Sequence, residues 1–164
     1  MNWNKVESKI YSWDDLKAQR AAWKAAGQQV VFTNGCFDIM HYGHVQYLAQ
    51  AADQGDKLIV ALNSSASIQK LKGPNRPINA DETRFHIMAS LQFVDAVVEF
   101  GEDTPYDLIK LITPDILVKG GDWKPEQIVG SDHVLANGGS VRSLKFVDGF
   151  STTSIEQKIL NSAK

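Results

Sequence analysis

The chain has 164 residues, a net charge of −2, 43% hydrophobic and 22% charged residues, and a single cysteine. That length suffices for one domain whose core needs no staples, and the near-neutral charge leaves no electrostatic footprint for nucleic acid or an anionic membrane. One cysteine excludes an intrachain disulfide and suits a reducing compartment; with no signal-peptide pattern and no apolar run approaching about 18 residues, the sequence predicts a cytoplasmic location.

Residues 1–27 read as a helical extension within a single domain spanning 1–164. Ser12 followed by Asp15 suits an N-cap box, Trp13, Leu16, Gln19 or Arg20, and Trp23 recur at helical spacing, and Gly27 is placed to stop the helix. The apolar run Val30-Val31-Phe32 predicts a buried strand that breaks at Asn34-Gly35, after which Val45, Leu48 and Ala52 mark one stripe of a helix. The quartet His41-Tyr42-Gly43-His44 therefore sits at a strand-to-helix junction. Free N–H groups and the positive end of the helix dipole make such a junction an anion site, and two histidines three apart can share the face turned toward it, flanking a phosphate. A zinc site would need a third ligand, and His86 and His133 lie in other segments without ligand spacing. Cys36 reads as a small residue packed in a tight loop.

Residues 57–63 form a second apolar run without alternation, as in a parallel strand covered on both faces. Residues 64–71 predict a short helix. A basic loop, 70–77, follows; Lys70, Lys72 and Arg76 between two prolines suit phosphate capture, because the prolines limit the entropy lost on ordering. Asn79 with Glu82 is expected to cap a helix running to about Gln92, and residues 96–100 form the third strand. Thr104 as N-cap, Pro105 and Asp107 open a further helix ending near Thr113-Pro114. The fourth strand, 115–120, runs straight into Gly121-Asp122-Trp123. Helical turns are expected at 125–129 and 131–137, a fifth strand at 141–147, and a last helix capped by Ser151-Thr152-Thr153-Ser154.

This alternation predicts an α/β fold: a Rossmann-like, doubly wound, five-stranded parallel sheet of order 3-2-1-4-5 with right-handed crossovers. Ligands in such sheets bind past the carboxyl ends of the strands where the winding reverses, here between the first and fourth strands. Those two strands leave through Thr33-Asn34-Gly35 and Lys119-Gly120-Gly121-Asp122, the most glycine-rich exits in the chain. Neither the G-x-G-x-x-G fingerprint nor a Walker A lysine loop is present. Two histidines, lysines from separate loops and a hydroxyl-rich helix start, with no activated nucleophile, suit direct in-line attack on phosphorus.

The HYGH quartet after a glycine-broken strand resembles the HxGH nucleotidyltransferases. Across residues 28–160 the ordered set FTNGCFD, HYGH, LKGPNRP, DTP, LVKGGD and GFSTT is similar to the adenylyltransferase domains of bacterial ADP-heptose synthesis. The resemblance implies transfer of AMP from ATP to D-glycero-β-D-manno-heptose 1-phosphate with Mg²⁺, giving ADP-heptose and pyrophosphate for lipopolysaccharide core synthesis. It implies catalytic roles for His41, His44, Lys72 and Lys119. Nucleotide contacts would come from Thr33, Asn34, Gly35, Phe37, Asp38, His41, Gly43, His44, Arg76, Gly121, Asp122, Ser151, Thr152 and Thr153, with no resident metal. Related cytidylyltransferases carry an arginine shortly before the serine-threonine stretch, where this chain has only Lys145. The implied partners are ATP and a sugar phosphate, with the sugar kinase on a separate chain and a homodimer left open. A cytidylyltransferase for glycerol 3-phosphate, an FAD-synthetase-like enzyme and a non-catalytic nucleotide sensor are the alternatives.

Overall fold

Strands covered on both faces are mainly apolar, and the four central strands are so along most of their length, with polar residues such as Thr33, Lys57, Glu99 and Lys119 among them. The computed structural model describes residues 1–163. In chain order the elements are α1 (Asn2–Glu7), β1 (Ile10–Tyr11), α2 (Trp13–Ala25), β2 (Val30–Gly35), α3 (Tyr42–Ala52), β3 (Lys57–Asn63), α4 (Ser65–Lys72) and α5 (Asp81–Ser90). They continue with β4 (Ala96–Phe100), α6 (Tyr106–Ile112), β5 (Ile116–Gly120), a 3-10 turn (Pro125–Gln127), α7 (Ser131–Ala136), β6 (Ser140–Leu144) and α8 (Thr152–Ser162). Every strand pairing is parallel, in the order β1-β4-β3-β2-β5-β6.

The expected five-stranded order holds for β4-β3-β2-β5-β6, but the sheet has six strands. The addition is β1, whose Ile10 and Tyr11 pair with Val97 and Val98. Two residues carry no readable periodicity, which is why sequence pattern missed them. The residues before β2 thus extend the sheet by one short edge strand. The unexpected helix α1 packs there too, with Trp3 stacked on His86 at 4.9 Å between ring centroids. Lys9 Nζ donates to the Leu91 carbonyl (3.0 Å) and Trp13 Nε1 to that of Glu99 (2.8 Å).

Alternation along β2 sends Val30 and Phe32 to one core layer, with Leu16, Ile59, Leu108 and Ile109, and Val31 to the other, with Tyr47, Leu48, Val60 and Met88. Several boundaries differ from expectation. The buried face of α3 is Gly43, Tyr47, Leu48 and Ala51, whereas Val45 is 39% exposed, because the helix turns its tyrosine rather than its valine to the sheet. Asn79 does not cap α5; Ala80 holds that position, and the Asn79 amide instead donates to the Asp38 carbonyl (2.7 Å). Helix α6 starts one residue late, with Pro105 at the N-cap position and Thr104 outside. β6 ends at Leu144, since its partner β5 ends at the paired Gly120.

Strand β2 lies between β3 and β5. Winding reverses there, at the carboxyl ends of β2 and β5. A fully buried arginine fixes this edge from beneath. Arg84 of α5 donates through Nη1 to the Cys36 carbonyl and through Nη2 to the Asn63 carbonyl, both at 2.8 Å, and pairs with Asp81. Asp81 also accepts from Ser65 Oγ at 2.5 Å, so the guanidinium joins the exits of β2 and β3 to the start of α4. Arg84→Met would orphan two carbonyls in the interior and is expected to cost about 2–4 kcal/mol of stability in urea denaturation. A loss below about 0.5 kcal/mol, the range of ordinary surface substitutions, would contradict this tether.

Candidate active site

Helix α3 begins with an unusual cap. His41 is extended (φ −143°) and its Nδ1 accepts from the backbone N–H of His44 at 3.4 Å, which places the ring proton on Nε2. The His44 ring stacks on His41 with 3.7 Å between centroids, and Phe37 meets it edge-on at 5.1 Å. Burial, with the neighbouring His41 ring and the Lys72 charge, pushes His44 down to about 4, against a smaller pull from the Ile39 carbonyl; burial also lowers His41. Both rings are therefore neutral at pH 7. Gly43 permits the stack: a Cβ there would lie 3.1 Å from the His41 ring and 3.3 Å from Phe150 Cβ.

The loop from β2 to this cap turns sharply. Phe37 has φ +45°, and its ring folds back until a Cβ on Gly35 would lie 2.8 Å from it. Asp38, 5% exposed, accepts from the N–H groups of Ile78 and Asn79 (2.8 Å each) and faces Arg76 Nη1 at 3.4 Å. Arg76 Nη2 reaches Glu156 of α8 at 2.6 Å. One carboxylate thus ties the basic loop to the histidine loop, and Arg76 extends the tie to α8.

Two chambers open at the winding reversal. The smaller, about 190 Å³, is bounded by Phe37, Asp38, His44, Lys72, Phe146 and Thr152, the larger, about 310 Å³, by residues around Asn63, Asp103 and Trp123; Asn34, Gly35, Cys36 and Lys119 border both. Burial pulls the Lys119 ammonium below its ordinary value. Gly120 lets Phe146 close over the edge, since a Cβ there would overlap the ring at 2.3 Å. Thr152 lines the smaller chamber while its hydroxyl donates to the Ile39 carbonyl at 3.3 Å.

The structure brings together Asn34, Gly35, Phe37, Asp38, His44, Lys72, Lys119 and Thr152, with His41 stacked behind His44. Other expected residues stand elsewhere. Thr33 is fully buried and shares a 2.6 Å hydrogen bond with the Tyr47 hydroxyl, so it supports the strand exit. Arg76 is enclosed by two carboxylates rather than offered to a phosphate. Gly121, Asp122, Ser151, Thr153 and Lys145 line neither chamber; Ser151 caps α8 by accepting from Ser154 N–H at 3.0 Å. Sequence reasoning missed Arg84, Tyr47 and Phe146. The i,i+3 pair Asp81–Arg84 was a readable signal for the first; the other two declare themselves only through contacts made across the fold. Among the described residues no cluster of three or more His, Cys, Asp or Glu could hold a metal ion, and no helix is long and apolar enough to cross a membrane.

An H-x-G-H helix start at the winding reversal of a parallel sheet is the arrangement of a nucleotidyltransferase domain. Residues 32–158 match the cytidylyltransferase-like family, and the chain belongs to that family. It is 58% identical over 146 residues to the Bifunctional protein HldE of Enterobacter sp. (strain 638), covering 89% of this chain and 31% of that protein. To the Bifunctional protein HldE of Ectopseudomonas mendocina it is 54% identical over 155 residues, covering 94% and 33%. The chain therefore spans about a third of the length of these curated relatives. Among solved structures, the lipopolysaccharide core biosynthesis protein from Thermoplasma volcanium has a TM-score of 0.61 at 24% identity, with 74% of this chain and 98% of that chain covered. Pantoate-beta-alanine ligase from Francisella tularensis has a TM-score of 0.58 at 14% identity, covering 90% and 75%. Both are likenesses of fold.

The depressed His44 sets a direction for stability against pH. Its folded value lies below the unfolded value of about 6.5, so as pH falls through that range the unfolded chain takes up a proton first and the native state loses ground down to about 4. His44→Gln is expected to flatten the decline in melting temperature between pH 6.5 and 4. Parallel profiles for wild type and variant would contradict the buried neutral imidazole.

Proposed function

We propose that the chain is an adenylyltransferase that transfers AMP from ATP to D-glycero-β-D-manno-heptose 1-phosphate, releasing pyrophosphate and giving ADP-heptose. The observation that carries this reading is the placement of Lys119 on both chambers, with His44, Lys72 and Thr152 around the smaller one. Two phosphates entering from opposite chambers would meet beside one buried ammonium. The ordered motifs shared with heptose 1-phosphate adenylyltransferase domains support the choice of sugar and nucleotide, and the HldE relatives agree with a domain that occurs joined to a second activity.

In this mechanism a phosphate oxygen of the sugar phosphate attacks the α-phosphorus of ATP, the bond from that phosphorus to the bridging oxygen breaks, and pyrophosphate departs with the electron pair. The nucleophile is already ionised near neutrality, so no general base is required. Catalysis then consists of alignment and of stabilising charge on the phosphoryl oxygens. Neutral His41 and His44 donate hydrogen bonds where that charge grows, Lys72 meets the leaving phosphates, and Lys119 aligns the two reactants. The carboxylates near the smaller chamber do not form a metal cage, because Asp38 is spent on backbone N–H groups and Arg76. Mg²⁺ enters bound to the triphosphate, as part of the substrate, and screens its charge. A heptose kinase supplies the sugar 1-phosphate.

A second reading is a cytidylyltransferase, in keeping with the description of the matched family, with glycerol 3-phosphate as the alternative acceptor. Pyrophosphate release from ATP or CTP, paired with heptose 1-phosphate or glycerol 3-phosphate, separates the two. ATP with heptose 1-phosphate is expected to be turned over best; equal or better turnover of CTP with glycerol 3-phosphate would overturn the assignment, and no release from any pair would favour a nucleotide sensor.

His41→Ala and His44→Ala should each lower kcat about a hundredfold or more while changing KM for ATP little, because the lost donors act mainly on transition-state charge. A folded variant with near wild-type kcat would assign that histidine to structure alone.

A further inference from the structure

The mechanism uses the smaller chamber and the shared rim but leaves most of the larger one unassigned. Its volume, about 310 Å³, falls at the lower end of small-ligand pockets. Its lining divides by chemistry. Leu71, Phe100, Pro105, Ile128 and Val129 give apolar surface, while Asp103, Thr104 and Gln127 supply hydrogen-bonding groups in addition to Lys119. Trp123 completes the lining. Its Nε1 donates to the Gly120 carbonyl at 3.1 Å and its backbone N–H to Ser143 Oγ at 3.2 Å, so the indole is held in place with its only polar atom already satisfied. About half of Trp123 remains exposed, and what it offers a ligand is ring surface.

We propose that this chamber binds the sugar of the acceptor, with Trp123 stacking on the C–H face of a pyranose ring and Asp103, Thr104 and Gln127 selecting its hydroxyls. The inference rests on the reading of the chain as a sugar-phosphate nucleotidyltransferase and deepens it by naming the residues that set acceptor choice. A pyranose has an apolar face ringed by hydroxyls, which matches one aromatic surface surrounded by polar groups. Asp103 Oδ1 pairs with Lys70 at 3.1 Å on an open surface, leaving the other carboxylate oxygen free to accept from a hydroxyl. Gln127 Oε1 accepts from Lys124 N–H at 3.1 Å, which leaves the amide NH₂ as donor. The two ends of the chamber give it a direction: the anionic end of a sugar phosphate goes toward the Lys119 ammonium and its hydroxyls toward Asp103, Thr104 and Gln127. A glycerol chain has no flat face to present to the indole.

The test measures KM for heptose 1-phosphate and for ATP separately in Trp123→Ala, Trp123→Phe and Asp103→Asn, and uses calorimetry to compare heptose 1-phosphate with inorganic phosphate on the same proteins. Asp103 lies on the surface, 82% exposed at its side chain, so its variant probes the site without endangering the fold. Trp123→Ala and Asp103→Asn are expected to raise KM for the sugar phosphate about tenfold with KM for ATP within about twofold, and Trp123→Phe to restore most of the loss. Wild type should bind the sugar phosphate at least about tenfold more tightly than phosphate, with the margin lost in Trp123→Ala and Asp103→Asn. An unchanged margin in those variants, equal binding of the two ligands by wild type, or a rise in KM for ATP instead would overturn the proposal. If the calorimetric margin is found but no pyrophosphate is released, the sugar chamber stands and the adenylyl-transfer reading falls.

Discussion

The path of the backbone as it leaves β2 is the constraint on which the site depends. Between Gly35 and His41 the chain must leave a buried strand, reverse through a left-handed residue at Phe37, and deliver a histidine to the first cap of α3. Two buried charged side chains hold it there. Arg84 grips the Cys36 carbonyl from below, and Asp38 reaches sideways to the backbone of the basic loop. Charges in an interior are costly unless paired and hydrogen-bonded, and each of these has charged and backbone partners. Because the partners lie on α4, α5 and the loop before α5, and through Arg76 on α8, one network ties together several of the segments that border the smaller chamber. A transfer reaction driven by positioning needs that rigidity more than it needs a reactive side chain.

The electrostatics follow the same logic. Burial disfavours a charge on either imidazole, and at His44 repulsion from the His41 ring stacked 3.7 Å away adds to it, so both rings are held neutral. The positive charge is held by Lys72 at the surface and by Lys119 on the rim between the chambers. Lys119 is itself disfavoured as a cation by burial, a penalty that the two phosphates of the proposed reaction would offset. Such a site matches its field to an anionic ligand, consistent with a chain whose overall charge offers no attraction at long range.

Much of this was legible in the sequence because the central strands are long apolar runs and the helices carry strong stop signals. The runs at β3 and β4, the cap at Ser12 and the two glycine-rich exits located the sheet, its winding reversal and the cleft. What escaped notice was set by contacts across the fold. The edge strand β1 exists only because β4 presents it a ladder, and Asn79, a good cap by type, is recruited by Asp38 instead. Arg76 reads as a phosphate contact in the sequence because cations in a turn-rich loop have few local partners, and Asp38 is expected at the nucleotide through the family resemblance. In the structure each is the other's partner. Thr33 is expected at the nucleotide only through the family resemblance; a hydroxyl at a strand exit points outward or into the core according to pleat, and its 2.6 Å bond to Tyr47 marks the core side.

The central claim is that the cleft positions two phosphates for direct transfer and supplies no covalent nucleophile. Stereochemistry at the α-phosphorus tests it most directly. With ATP chiral at that phosphorus through a single sulfur substitution, one in-line displacement inverts the configuration in the sugar nucleotide, and inversion is the predicted result. Retention would require two displacements through an adenylylated side chain, His41, His44 or Lys119 among the candidates, and would contradict the account.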